Sequence, residues 1–103
     1  MTEEVIHHRG TTLVRRLILQ PGEAMPWHVD PCHRITVVLR GDLLRIEYRD
    51  GGSPLTIRVE VGQTDWDEPT DRAHRGVNAG RVQYEEITIF LLDHPGATPQ
   101  PRA

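Results

Sequence analysis

The sequence predicts an all-β fold of the sandwich or barrel class, and three observations support this prediction. Short apolar runs with a period of two recur along the 103 residues, as expected for half-buried strands. Nine glycines and eight prolines punctuate the chain. Turns therefore separate the runs by roughly 8–12 residues, which is the spacing of sandwiches and barrels. No window has the i, i+3, i+4, i+7 apolar spacing of an amphipathic helix.

Each predicted strand is an alternating or β-branched apolar segment. In Leu55–Val61, leucine, isoleucine and valine alternate with polar residues, which indicates one buried face. The segment Asp50-Gly51-Gly52-Ser53-Pro54 before it has the composition of a hairpin turn. The other predicted strands are Leu13–Leu19, Ile35–Leu39, Leu44–Tyr48 and Ile87–Leu92.

The length and the composition predict one folded domain. Apolar residues make up 37% of the chain, which is enough for a packed core. Residues 1–94 are predicted to form this single domain. Residues 95–103 are rich in proline and polar, and we expect them to form a flexible C-terminal tail.

The charge balance and the cysteine count exclude several classes of partner. The chain has 12 basic residues, all of them arginine, against 15 acidic ones, and its net charge is −3. Without a basic cluster, we expect no binding to nucleic acid or to a membrane surface. The single cysteine, Cys32, excludes an intrachain disulfide and fits a reducing compartment. Because we find neither a signal peptide nor an apolar run of membrane-spanning length, we expect a cytoplasmic protein.

Two segments of the chain resemble the paired motifs of the cupin superfamily. Residues 21–42, PGEAMPWHVDPCHRITVVLRGD, match the first family motif, G-x5-H-x-H-x(3,4)-E-x6-G, at Gly22, His28 and Gly41. Residues 62–78, GQTDWDEPTDRAHRGVN, match the second motif, G-x5-P-x-G-x2-H-x3-N, with one extra residue before the proline. The matched positions of the second motif are Gly62, Pro69, His74 and Asn78. The resemblance implies a double-stranded β-helix, a jelly roll of two antiparallel sheets with one pocket between them.

The resemblance also implies a divalent metal site. In the family, two histidines and a Glu or Gln of the first motif usually hold the ion together with one histidine of the second. Carried over, His28 and His74 fill the first and the last place, whereas Asp30 stands at the second histidine place. Two histidines and one carboxylate form the facial triad of non-haem iron sites. We therefore expect His28, Asp30 and His74 to hold Fe, Mn, Ni or Zn.

Arg34 stands where the family has its Glu or Gln ligand. A guanidinium is always protonated and cannot coordinate a cation. Two arrangements stay open. Arg34 could pair with Asp30 and leave a metal-free pocket with a cationic floor. Alternatively, the loop Pro31-Cys32-His33 could shift the register, so that His33 turns inward as a reserve ligand.

Arg34 and Glu68 are the predicted binding residues for a small polar ligand. Arg34 would hold an acid group of that ligand in a bidentate pair. Glu68 precedes Pro69 and would act as a general base if it reaches the cavity. Arg72 flanks His74 and is expected to face away from it and to pair with surface carboxylates.

Three classes of function follow from these residues. The first is a small metalloenzyme of the isomerase or dioxygenase type, and the second is a metal-free enzyme or binding protein that anchors an anion on Arg34. The third is a sensor or accessory protein that keeps the barrel without turnover. A homodimer is predicted as well, because the terminal strands are apolar on both faces. Ile18 and Phe90 are the candidates for its interface.

Overall fold

The computed structural model describes residues 1–92, and the predicted tail at 95–103 lies outside them. The described residues form nine strands and no helix, so none of their segments is a helix that could cross a membrane. The strands are β1 (Thr2–Arg9), β2 (Thr12–Leu19), β3 (His28–Asp30), β4 (His33–Arg40), β5 (Leu43–Tyr48), β6 (Leu55–Arg58), β7 (Thr64–Asp67), β8 (Thr70–Asn78) and β9 (Tyr84–Leu91).

The strands build two sheets in which all pairs are antiparallel, as predicted. The larger sheet has five strands in the order β1-β2-β9-β4-β7, and the smaller has four in the order β3-β8-β5-β6. The chain changes sheet within each motif segment, between β3 and β4 in the first and between β7 and β8 in the second. This topology brings β3 beside β8, so the histidines of the two motifs come from neighbouring strands.

The apolar core lies between the sheets and closes one end of the interior. Its buried members are Leu17, Leu19, Met25, Val38, Leu44, Val59 and Tyr84. A second, smaller cluster consists of Leu13 of β2, Phe90 of β9 and Cys32, which lies between β3 and β4. Several members of the larger cluster also line the internal cavity, so the core serves as the apolar part of its wall.

Each predicted strand is present, although β6 ends at Arg58 rather than at Val61. The strand β1 was not predicted, because its sequence TEEVIHHR has no apolar alternation. Its residues are almost all exposed on both faces. An edge strand with no buried face leaves no periodic signal in the sequence.

Two turn residues of the motifs have clear structural roles. Gly41 has φ 146°, and a Cβ there would lie 2.8 Å from Cδ1 of Tyr84. The side chain of Asn78 is buried and donates to the carbonyls of Leu19 and Val82, while its oxygen accepts from the backbone N–H of Gly80. Both residues hold the strand connections below the cavity.

Phe90, which was predicted as a candidate for the homodimer interface, does not lie on the outer face of the sheet. Its side chain is fully buried and packs with Leu13 and Cys32 inside the protein. The interior face of β9 carries Glu86 and Thr88 as well as Phe90, whereas its outer face carries isoleucines and a leucine. Because the interior face is the more polar one, apolar character alone assigns the two faces incorrectly.

Candidate metal centre and pocket

His28 and His74 are brought together by the pairing of β3 with β8, in which they are direct register partners. Their imidazole rings lie 4.6 Å apart. The register shifts after His28, so Asp30 pairs with Thr70 instead of continuing the regular ladder. Such a bulge redirects the side chains next to it. Here the carboxylate of Asp30 lies beside both imidazoles.

The three side chains converge on one point through named atoms. Oδ2 of Asp30 lies 3.0 Å from Nε2 of His74 and 3.3 Å from Nε2 of His28. The ligand atoms that the three residues offer all lie within 4.8 Å of one another. His28 and Asp30 are buried, and His74 is partly exposed. This is the only group of three or more His, Cys, Asp or Glu within residues 1–92 that could hold a metal ion.

The hydrogen bonds of the two imidazole rings determine the tautomer of each ring, and therefore whether its Nε2 presents a lone pair to Asp30. Nδ1 of His28 lies 2.8 Å from the carbonyl oxygen of Pro26, and Nδ1 of His74 lies 2.8 Å from that of Arg72. A carbonyl only accepts, so both Nδ1 atoms carry the proton in the neutral ring. Both Nε2 lone pairs then point at an oxygen that also only accepts. Three electron-pair donors around one point need a proton or a cation between them.

This donor set fits a divalent transition-metal ion. Two imidazoles and one carboxylate suit Fe²⁺, Mn²⁺, Ni²⁺ or Zn²⁺. Ligating histidines commonly donate their second N–H to a backbone carbonyl, which fixes the ring for coordination. His28 and His74 both have this second hydrogen bond. The predicted trio His28, Asp30 and His74 therefore meets in space with the orientation that metal binding requires.

Arg34 lies inside the cavity with a side chain that is 12% exposed. Its Nη2 is 3.5 Å from Oδ2 of Asp30, and its Nη1 donates to the backbone carbonyl of Glu68 at 3.4 Å. The guanidinium thus shares the Asp30 oxygen that faces the two imidazoles. Both predicted roles of Asp30, as a metal ligand and as the partner of Arg34, use the same atom.

His33 and Glu68 pair with each other at the edge of the larger sheet. Nε2 of His33 lies 2.6 Å from Oε2 of Glu68, and Nε1 of Trp66 donates to the other carboxylate oxygen at 3.2 Å. The Glu68 side chain is 71% exposed. The reserve ligand His33 is not in the group that converges on Asp30. That Glu68 binds a ligand stays a prediction, although the residue borders the cavity.

The cavity between the sheets has a volume of about 480 Å³ and two unlike walls. The wall formed by β5 and β6 is aliphatic and consists of Leu44, Ile46, Leu55 and Ile57. The facing wall, from β4, β7 and β9, is polar and consists of Arg34, Thr36, Asp65, Asp67 and Glu86. The trio of His28, Asp30 and His74 lines the cavity from β3 and β8 of the smaller sheet. A ligand that fills this space meets apolar surface on one side and charged groups on the other.

Two carboxylates of the polar wall, Asp67 and Glu86, were not among the predicted site residues. Burial raises the pKa of Asp67 above its ordinary value, and the Arg34 guanidinium opposes that rise. Glu86 is 5% exposed and accepts hydrogen bonds from the hydroxyls of Tyr84 and Thr88. The signal for Glu86 was available, since it alternates with Tyr84 and Phe90 along β9.

The prediction that Arg72 faces away from His74 is wrong. The two residues are two positions apart on β8, so their side chains lie on the same face, and both line the cavity. Arg75 does face outward, where its guanidinium stacks on Trp27 and donates to Glu47 at 2.9 Å. Arg72 is therefore a second arginine at the pocket.

No protein-family model and no curated protein sequence matches this chain. Solved structures do match it in fold. A cupin domain from Bordetella pertussis Tohama I has a TM-score of 0.75 at 18% identity, covering 85% of this chain and 88% of that one. An uncharacterised double-stranded β-helix protein from Klebsiella pneumoniae has a TM-score of 0.65 at 17% identity, over 85% and 73%.

A third similar structure is oxalate oxidase in complex with the substrate analogue glycolate. Its TM-score is 0.59 at 20% identity, and the match covers 86% of this chain but 52% of that one. At these identities the likeness concerns the fold. It confirms the double-stranded β-helix that the motifs implied.

Proposed function

We propose that this chain, which has the cupin fold, holds a divalent transition-metal ion on His28, Asp30 and His74. The ion would serve the binding or conversion of a small polar molecule in the adjoining cavity. The observation that carries the proposal is the pair of hydrogen bonds from the Nδ1 atoms to backbone carbonyls. In the neutral rings they leave both Nε2 lone pairs directed at a carboxylate oxygen, an arrangement that a bound cation stabilises.

The side chains around the trio supply the remaining functions of such a site. A bound ion would act as a Lewis acid toward an oxygen of the ligand. Arg34 would balance the negative charge of Asp30 and of Asp67, its register partner on β7. The aliphatic wall would exclude water from one side of the ligand. Glu68, at the rim, would be available to exchange a proton with it.

The ligand class that we favour is a small organic acid. Oxalate oxidase, a protein of similar fold, is known in complex with the substrate analogue glycolate. In this chain, two arginines line the cavity and would attract a carboxylate, while a metal ion would add further positive charge. The reaction class would be a metal-dependent isomerisation or oxygenation.

Metal analysis of the protein purified without added metal tests this proposal. We expect up to one ion per chain, and we expect His28→Ala and His74→Ala to lose it. His33→Ala is the matched control, because His33 lies outside the converging trio and should keep the ion. Substoichiometric metal that survives both the His28 and the His74 substitution would contradict the proposal.

A metal-free binding or sensor protein is the second candidate, and one observation favours it. Nη2 of Arg34 lies 3.5 Å from Oδ2 of Asp30, so Asp30 has a cationic partner without any ion. The melting temperature with and without EDTA separates the candidates. A metal at 100 times its dissociation constant adds about 2.7 kcal/mol, or roughly 10 °C or more in a domain of this size. No change on adding EDTA would support the metal-free alternative.

We also propose that the protein forms a homodimer and resides in the cytoplasm. Half-buried isoleucines and valines cover the outer face of the larger sheet, among them Ile35, Ile87 and Ile89. A second copy would remove this apolar surface from water. The buried free thiol of Cys32 is compatible with a reducing compartment.

A further inference from the structure

We propose that Arg72 is the carboxylate-binding group of the pocket and that the ligand is a carboxylic acid with an aliphatic body. This inference rests on the proposed function, because it concerns the ligand of the same cavity. It names a residue outside the metal-binding trio and separates its role from that of Arg34.

The guanidinium of Arg72 is held in place by three different contacts. Its Cζ lies 3.6 Å from the centroid of the Tyr48 ring, which is a close stacking distance. Its Nε and Nη2 donate to the two carboxylate oxygens of Asp50 at 2.8 and 3.2 Å. A Cβ at Gly52 would lie 2.2 Å from Nη2, so the guanidinium rests against a position that only glycine leaves open.

These contacts fix the side chain but do not use all of its donors. Asp50 takes the Nε edge of the guanidinium, and Nη1 has no hydrogen-bond partner among residues 1–92. The Nη1–Nη2 end remains available for a second, bidentate carboxylate. The side chain is 45% exposed at the mouth of the cavity, where a ligand enters. Because its position is already fixed, binding there costs little side-chain entropy.

Arg34 is less suited to this task. Its side chain is 12% exposed, and its Nη2 faces Asp30. It also lies on the wall that carries Asp65, Asp67 and Glu86, whose negative charges disfavour a carboxylate next to that wall. An anionic group is therefore favoured beside Arg72, which lies on the same strand face as His74 and is more exposed than Arg34.

The surface next to Arg72 defines the rest of the ligand. Tyr48, Asp50 and Gly52 belong to the β5–β6 hairpin, and the two strands of that hairpin form the aliphatic wall. A ligand anchored on Arg72 would lay its body along Leu44, Ile46 and Ile57. Hydrocarbon surface there is removed from water on one side. A short aliphatic acid satisfies both the arginine and this wall.

Isothermal titration with hexanoate and with hexanamide tests the inference. The two probes have the same aliphatic body and differ in the charge of the head group. We expect the wild-type protein to bind hexanoate about tenfold or more tightly than hexanamide, as one charge-assisted pair would provide. We expect Arg72→Gln to abolish this preference and Arg72→Lys to retain part of it.

Two further variants test whether the hexanoate preference needs the Arg72 guanidinium in its observed position or only an arginine on this strand. Gly52→Ala should displace the guanidinium, which is the end of a flexible side chain, and should reduce the hexanoate preference while the fold is retained. Arg75→Gln is the matched control, since Arg75 points to the opposite face of the same strand and should keep the preference. Unfolding temperatures of all variants show whether each one is folded.

Three results would overturn the inference. They are equal affinity of the wild-type protein for both probes, retention of the preference in Arg72→Gln, and loss of the preference in Arg34→Gln instead. The titrations are run with metal and with EDTA. A hexanoate preference that persists in EDTA and depends on Arg72 would support the inference even if the metal proposal failed. Metal binding that is unaffected by Arg72→Gln would show that the metal site does not depend on Arg72, so that each proposal is tested independently of the other.

Discussion

His28 and His74 face each other across β3 and β8, and their Nε2 atoms approach the same oxygen of Asp30 at 3.3 and 3.0 Å. The backbone carbonyls of Pro26 and Arg72 hold the opposite nitrogen of each ring. The imidazoles are therefore oriented by the backbone rather than by other side chains. A change at a neighbouring side chain should alter the charge at the site without turning the rings, which makes the site suitable for charge substitutions.

The first prediction concerns Arg34→Met. Its guanidinium lies 3.5 Å from the Asp30 oxygen that would coordinate the ion. A positive charge at about 5 Å from a dication costs roughly 1–2 kcal/mol even at the dielectric of water. We therefore expect the variant to bind Zn²⁺ or Mn²⁺ about tenfold more tightly in a calorimetric titration. The metal-free variant should be less stable than wild type, because Asp30 loses a buried partner.

Arg45→Met is the control for this experiment, since Arg45 pairs with Glu47 on the outer face and should leave metal affinity unchanged. Weaker metal binding by Arg34→Met would contradict the charge argument. It would indicate instead that Arg34 keeps Asp30 in the orientation needed for coordination.

The second prediction concerns Asp67→Asn and pH. Burial raises the pKa of Asp67 in the folded protein. A carboxyl whose folded pKa exceeds its unfolded pKa favours the protonated fold, so stability decreases as the pH rises through the folded pKa. Asparagine removes this penalty. We expect the variant to unfold at a higher temperature than wild type near pH 7 and the difference to shrink below the ordinary pKa of an aspartate.

Asp65→Asn serves as the comparison, because Asp65 lies on the same strand and the same wall but is more exposed. It should change the pH profile less than Asp67→Asn does. A pH-independent increase in stability for Asp67→Asn would rule out relief of a buried charge as its cause.

The third prediction compares glycines with and without space for a side chain. Both Gly41 and Gly62 have positive φ, at 146° and 86°. A Cβ at Gly41 would meet the Tyr84 ring at 2.8 Å, whereas a Cβ at Gly62 would meet nothing within 4 Å. Gly62→Ala should cost about 1 kcal/mol from backbone strain alone. Gly41→Ala should cost about 1–3 kcal/mol more, from overpacking against Tyr84. Urea unfolding measures both, and equal losses would contradict the packing argument.

Alternation in the sequence predicted the strands that have one apolar and one polar face. It did not predict β1, and it did not identify the interior face of β9. In β5 and β6 one face is aliphatic and the other polar, and the alternation is plain. In β1 both faces are exposed, so no pattern marks the strand. In β9 both faces carry apolar residues, with Phe90 inside and Ile87 and Ile89 outside, while the interior face also carries Glu86 and Thr88. A period of two identifies a strand but does not say which face is interior.

The trio of the site followed from the resemblance of two segments to the cupin motifs, in which His28 and His74 fill the first and the last ligand place and Asp30 stands at the second. Arg72 was misassigned, although its spacing of two from His74 placed it on the same face. The contacts that hold the Arg72 side chain could not be predicted, since Tyr48, Asp50 and Gly52 belong to a hairpin about twenty residues earlier in the chain. Such contacts depend on strand order, which local pattern does not determine.

The last prediction concerns the homodimer. Ile89 lies on the outer face of β9, the central strand of the larger sheet, with Val14 and Ile35 as its register partners. A charge in the middle of a buried apolar interface cannot be hydrated there and costs several kcal/mol. We therefore expect wild-type protein to behave as a dimer in light scattering at micromolar concentration and Ile89→Glu to be monomeric and folded. Val61→Glu, at a position that is 72% exposed, should remain dimeric. A wild-type protein that is already monomeric, or an Ile89→Glu variant that stays dimeric, would exclude this sheet face as the interface.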